Sequence, residues 1–223
     1  MVLEQMTTSN SSLYALLFPL MLIMTIILSG CANKPNTTPE NPLQLVTSEQ
    51  RIQQLKNKQN WRIQGKIAFI QQIKTKNKRE SAAISWEVNE KSRTQELNLT
   101  SYLGINVLNL ISNKEQHLIK IDGKEYRGTN LSELIYSLTE LTLPTEALIF
   151  WVKGIPFNQD DKVEINEKTQ LPISMSSEYN NSSWKINYQN YRPFNQINMA
   201  TQLTIEKDEL LIKISIKNWS FNE

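Results

Sequence analysis

Between Trp61 and Phe69 apolar and polar positions alternate. Trp61, Ile63, Gly65, Ile67 and Phe69 fall on one face, and Arg62, Gln64 and Lys66 on the other. A period of two predicts a strand with one buried face. The same alternation returns at Ala82, Ile84, Trp86 and Val88, and again at Leu97 and Leu99. The intervening run, with Lys74, Lys76, Lys78 and Arg79, reads as a hairpin loop or bulged arm. Ser101-Tyr102-Leu103-Gly104 reads as a turn leading to a strand that runs from Ile105 through Val107 to Ile111. His117 to Ile121 forms another strand, turned by the hairpin dipeptide Asp122-Gly123.

The period then changes. Leu131, Leu134, Ile135, Leu138 and Leu141 recur at helical spacing behind Asn130, a cap with Glu133 three residues on. Leu148, Trp151 and Val152 follow at the same spacing after Pro144, and Gly154 and Pro156 mark the stop. Upstream, Thr47-Ser48-Glu49-Gln50 fits a capping box for a helix reaching about Lys58, with Ile52 and Leu55 on one face. The last third returns to strands at Leu171 to Met175, Trp184 to Tyr188, Leu203 to Ile205 and Leu210 to Trp219. Asp160, Asp161, Glu164 and Glu167 fall in a polar connector, read as solvated surface.

The predicted order is thus a helix, five or six strands, two adjacent helices and about four strands. Short strands joined by tight turns imply an antiparallel sheet, and a twisted sheet of about ten strands curls. The expected class is mainly antiparallel β with helices, an incomplete, half-open β-barrel under an α-helical lid. No internal repeat is present.

The amino terminus has a different character. Leu13 to Leu28 carries no charge, and Leu28-Ser29-Gly30-Cys31 resembles a bacterial lipobox. That resemblance implies a signal peptide over residues 1–30 and a Cys31 that becomes the lipidated first residue. The bland readings are an apolar core helix with a chance cysteine behind it, or an uncleaved anchor. The absence of Lys and Arg before the apolar run departs from the pattern. Residues 31–46, with Pro35, Pro39 and Pro42 among Asn and Thr, read as a flexible tether, leaving 47–223 as a single folded domain.

Composition narrows the chemistry. Among 223 residues there are one Cys, one His and six scattered glycines. These exclude an intramolecular disulfide, a Cys/His zinc cage and a Gly-rich phosphate loop. A formal net charge of +2 gives no reason to expect nucleic acid. His117, on a face with Ile119 and Ile121, reads as an ordinary strand histidine, with no nucleophile-elbow serine to join it. No enzyme, metal or cofactor is expected.

An ordered set of segments resembles the LolB family of outer-membrane lipoprotein receptors. The set comprises Trp61 to Ala68, Ser81 to Trp86, Tyr102-Leu103-Gly104, Leu143-Pro144 with Trp151 to Pro156, Trp184 to Tyr188 with Tyr191, and Lys217-Asn218-Trp219. Tyr102 stands where the family has Pro. The resemblance implies an apolar cavity inside the half-barrel. It also implies a monomer on the periplasmic face of the outer membrane that accepts client lipoproteins from a LolA-like carrier and inserts them into membrane lipid. It implies an acyl-chain cavity lined by Trp61, Ile63, Ile67, Phe69, Ile84, Trp86, Leu97, Leu99, Leu134, Leu138, Leu148 and Trp151. Alternation alone reads the same residues as an ordinary core. The Tyr102-Leu103-Gly104 turn would be a membrane-insertion loop, or Leu103 would fold back onto the rim. The competing functional class is a lipid-anchored assembly scaffold that binds protein rather than lipid.

Overall fold

The computed structural model describes residues 46–73 and 76–222, without the side chains of 73, 76 and 77. The signal-peptide reading of residues 1–30, Cys31, the tether up to residue 45, and Lys74 lie outside the described residues. Helix α1 spans Ser48–Asn57. Six strands follow: β1 Asn60–Ile73, β2 Lys76–Asn89, β3 Thr94–Thr100, β4 Asn106–Ser112, β5 His117–Ile121 and β6 Lys124–Gly128. Helices α2, Leu131–Thr139, and α3, Leu148–Trp151, interrupt. Five more strands complete the chain: β7 Lys162–Ile165, β8 Pro172–Tyr179, β9 Ser182–Phe194, β10 Ile197–Lys207 and β11 Leu210–Asn222.

All eleven strands form one antiparallel sheet in the order β6-β5-β4-β3-β2-β1-β11-β10-β9-β8-β7. The sheet is a meander in each half, stitched where β1 meets β11. Its outer strands β6 and β7 do not pair with each other, so the barrel stays open. The β1–β2, β3–β4, β5–β6, β8–β9 and β10–β11 turns therefore share one end of the sheet. The β2–β3, β4–β5 and β9–β10 turns share the other.

Local sequence explains the fit. Thr47 Oγ1 accepts from the Gln50 amide while Gln50 Oε1 accepts from Thr47 N, closing the capping box on α1. At Gln64/Gly65 the β1–β11 register shifts. A Cβ on Gly65 would lie 2.0 Å from the Ser215 carbonyl oxygen, so only glycine permits this approach of the two backbones. The main core gathers the inner faces of both sheet halves with Leu55, Trp151, Val152 and Ile155. A smaller core joins Leu110 and Ile119 to Leu131 of α2.

Three expectations need correction. The acidic connector contains a strand: β7 alternates exposed Lys162 and Glu164 with half-buried Val163 and Ile165. The second lid helix is only four residues long, bounded by turns on both sides. Lys78 and Arg79 of the basic run lie inside β2 rather than in a loop or a bulged arm, because β1 and β2 pair without a register shift as far as Ile73↔Lys76.

Candidate functional site

The β3–β4 turn is pinned from inside. Ser101 N donates to Ile105 O at 2.8 Å, Gly104 N to Ser101 O at 2.9 Å, and Ile105 N to Ser101 Oγ at 3.3 Å. Gly104 takes φ +78°, a left-handed backbone that glycine adopts without strain. This geometry points Tyr102 and Leu103 outward: they are 101% and 80% exposed, and Ile105 behind them is 64% exposed. Leu103 therefore does not fold back onto the rim.

The concave residues fall in two groups. Trp61, Ile63, Ile67, Ile84, Trp86 and Trp151 are buried in the main core, with Phe69, Leu97, Leu99 and Leu148 packed half-buried against it. Register explains the grouping: Ile63 faces Trp86 and Trp219, and Trp86 faces Leu97, so one row of apolar side chains crosses the sheet. The Trp61 ring meets Trp86 edge-on, with centroids 5.1 Å apart. Leu134 and Leu138 belong instead to the smaller core under α2.

Charged residues that the sequence pattern passed over hold the helices to the sheet. Arg51 is buried on the same face of α1 as Leu55. Its guanidinium donates to the carbonyls of Lys153 at 3.0 Å, Gly154 at 3.3 Å and Asn198 at 3.3 Å. It thereby joins α1, the exit of α3 and the start of β10. Lys153, with no side-chain exposure, forms an ion pair with Glu90 Oε1. The same carboxylate oxygen accepts from Trp61 Nε1 at 2.7 Å. Burial pushes the Lys153 ammonium below its ordinary range, and the Glu90 carboxylate pulls it partly back. The only sequence cue was the spacing of Arg51 and Leu55, four residues apart on one helix face.

A cavity of about 660 Å³ opens beside this clamp, between the β2–β3 and β4–β5 turns and the chain around α2 and α3. Glu90, Ser112, His117, Leu131, Phe150 and Phe157 are among its walls, and none of the concave residues named above lines it. Ser112 Oγ lies 2.7 Å from His117 Nδ1. Burial lowers the His117 pKa from its ordinary 6.5, opposed by a backbone hydrogen bond involving Thr129. A folded pKa below the unfolded one means that the unfolded chain takes the proton first. Stability is therefore expected to fall as pH drops below 6.5, until the folded imidazole also protonates. Urea midpoints of the protein and of His117→Gln, compared between pH 7 and 5, check this: the variant should show the shallower pH slope. Among the described residues no cluster of three His, Cys, Asp or Glu is placed to hold a metal.

Comparison with known proteins agrees with this architecture. The family model described as outer membrane lipoprotein LolB matches residues 59–219. An outer-membrane lipoprotein LolB of Psychromonas ingrahamii is 33% identical over 199 residues, covering 89% of this chain and 93% of that protein. One from Tolumonas auensis is 31% identical over 196 residues, covering 87% and 91%. In fold, the chain is similar to the crystal structure of a LolA superfamily protein from Nitrosomonas europaea, with a TM-score of 0.50. That match has 7% identity and covers 80% of this chain and 94% of the other.

Proposed function

The chain belongs to the LolB family of outer-membrane lipoproteins, and on that premise we propose that it accepts lipoproteins from a LolA-like periplasmic carrier and inserts them into the outer membrane. The family is one of transport proteins rather than enzymes, and its members work at the periplasmic face of that membrane. The observation that carries the reading is the exposed Tyr102-Leu103 pair at the end of an open sheet whose inner face is apolar. A soluble protein has no use for an unsupported tyrosine and leucine at a loop tip, whereas a bilayer does.

In this reading Cys31 carries the lipid anchor and residues 31–46 are a tether that lets the domain reach both carrier and bilayer. The concave residues, from Trp61, Ile63, Ile67 and Phe69 through Ile84, Trp86, Leu97 and Leu99 to Leu148 and Trp151, receive the client's acyl chains as the helices shift. Leu134 and Leu138 supply the underside of the lid. No nucleotide is used. Direction comes from a difference in affinity, and each tenfold step requires only ~1.4 kcal/mol.

The division of labour has its own test. A mature form without Cys31, beginning at Ala32 and so carrying neither the apolar amino-terminal run nor the acylated cysteine, should be soluble and still take lipoprotein from the carrier. Loss of acceptance in that form while it stays folded would place the anchor inside the binding site.

A further inference from the structure

We infer that the inner face of β8 and β9, capped by α3, holds a carbonyl-binding site for the acyl esters of a diacylglyceryl lipid, formed by the indole N–H groups of Trp151 and Trp184 and the hydroxyl of Ser177. The inference rests on the lipoprotein-binding reading and specifies which part of the lipid is recognised.

These side chains are buried, and none of the three polar atoms has a hydrogen-bond partner among the described residues. Buried indole N–H groups and hydroxyls are normally paired, because an unpaired one loses its water without replacement. Two other unpaired atoms, on Asn60 and Asp161, are of a different kind: both are acceptor oxygens, and the second carboxylate oxygen of Asp161 is well served by the amides of Phe157 and Asn158. The three donors are neighbours. Ser177 and Trp184 are directly opposed across β8 and β9, and the Trp151 and Trp184 rings lie 5.8 Å apart.

The chemistry of the set defines its ligand. An indole N–H only donates, so the two indoles cannot satisfy one another. The three donors carry no charge, and the Lys207 ammonium beside them is engaged over the face of the Trp184 ring, 5.5 Å from its centroid, so the set suits a neutral acceptor, a carbonyl oxygen, better than a phosphate. Position agrees. Ser177 and Trp184 sit two residues from the ends of the β8–β9 hairpin, at the end of the sheet that also carries Tyr102 and Leu103. Fully buried Met175 and Ile186 lie further along the same strands. A lipid entering from that end would place its ester carbonyls beside the donors and its chains over the apolar residues beyond. Trp151 belongs to α3 while Ser177 and Trp184 belong to the sheet, so a shift of α3 away from the sheet uncovers the site.

The test uses the full chain in vesicles of ether-linked phospholipid, which contain no ester carbonyl. Two lipopeptides compete against a photoreactive alkyl probe: one bears an ester-linked diacylglyceryl cysteine, the other its ether-linked dialkylglyceryl equivalent. The wild type should prefer the ester by about tenfold, the effect of one or two net hydrogen bonds. Ser177→Ala should lose several-fold of that preference, bind the ether probe as before, and melt no lower than the wild type without ligand, since it removes an unpaired hydroxyl. Trp184→Phe should also lose the preference, and Ser177→Ala decides the matter if Trp184→Phe does not fold. Equal binding of the two lipopeptides by the wild type, or a lowered melting point in Ser177→Ala, overturns the site while leaving lipid binding intact. Binding of neither probe overturns the lipoprotein-binding reading itself. Full competition by diacyl phospholipid vesicles would assign the carbonyls to bulk lipid and overturn the diacylglyceryl-cysteine ligand.

Discussion

Glu90→Ala is expected to destabilise the fold by ~3–5 kcal/mol, the cost of leaving a buried charge without its partner. The carboxylate serves the Lys153 ammonium and the Trp61 indole together, and its side chain is only 16% exposed. Without it, Lys153 Nζ retains one carbonyl, that of Leu55 at 3.4 Å. Against a domain stability of roughly 5–15 kcal/mol, this is a large fraction. Replacing both partners, Glu90→Leu with Lys153→Met, should cost far less, because no charge is left in the interior. The pH dependence should also change. The folded Lys153 pKa is below its ordinary 10.5, so stability rises with pH between the folded and unfolded values. Losing Glu90 removes the effect that raises the folded value, which widens the window toward lower pH. Urea denaturation of the single and double variants from pH 7 to 10 measures both effects. A loss below about 1 kcal/mol in Glu90→Ala would mean that the pair is effectively solvated.

Leu103→Glu is expected to abolish delivery into vesicles while leaving the fold and acceptance from the carrier intact. Stability should change by no more than about 0.5 kcal/mol, as for other exposed positions. Burying one leucine in a bilayer gains ~1.5–3 kcal/mol, too little to anchor a protein but enough to orient its open end. Tyr102 adds an amphipathic ring suited to the headgroup level. A glutamate at the tip reverses the sign, since a carboxylate stays in water. Release of labelled lipoprotein to liposomes, measured beside the urea midpoint, separates the two properties. Normal delivery by the variant removes the loop from the mechanism.

Much of the fold could be read from alternation, because a period of two assigns a face whatever the strand pairs with. Alternation puts Trp61, Ile63, Ile67, Phe69, Ile84 and Trp86 inward, and all are buried except Phe69, which is half-buried. Strand β7 escaped because only Val163 and Ile165 alternate there, among acids and lysines that suit an edge. The clamp escaped for a different reason. Charged side chains are read as surface, and Glu90 and Lys153 are 63 residues apart, so no local pattern couples them. The turn at Gly104 was legible as a turn. Whether Leu103 pointed in or out depended on how the β3–β4 hairpin sits at the sheet's end, which is a property of the whole fold.

One radiolabelled lipoprotein, followed from its complex with the periplasmic carrier, through this protein, into liposomes, reports the whole transfer. Label should leave the carrier without nucleotide, be recovered on the wild-type protein when vesicles are absent, and pass into vesicles when they are added. Label that stays on the carrier in the presence of folded protein would mean that the protein is not a receptor for it.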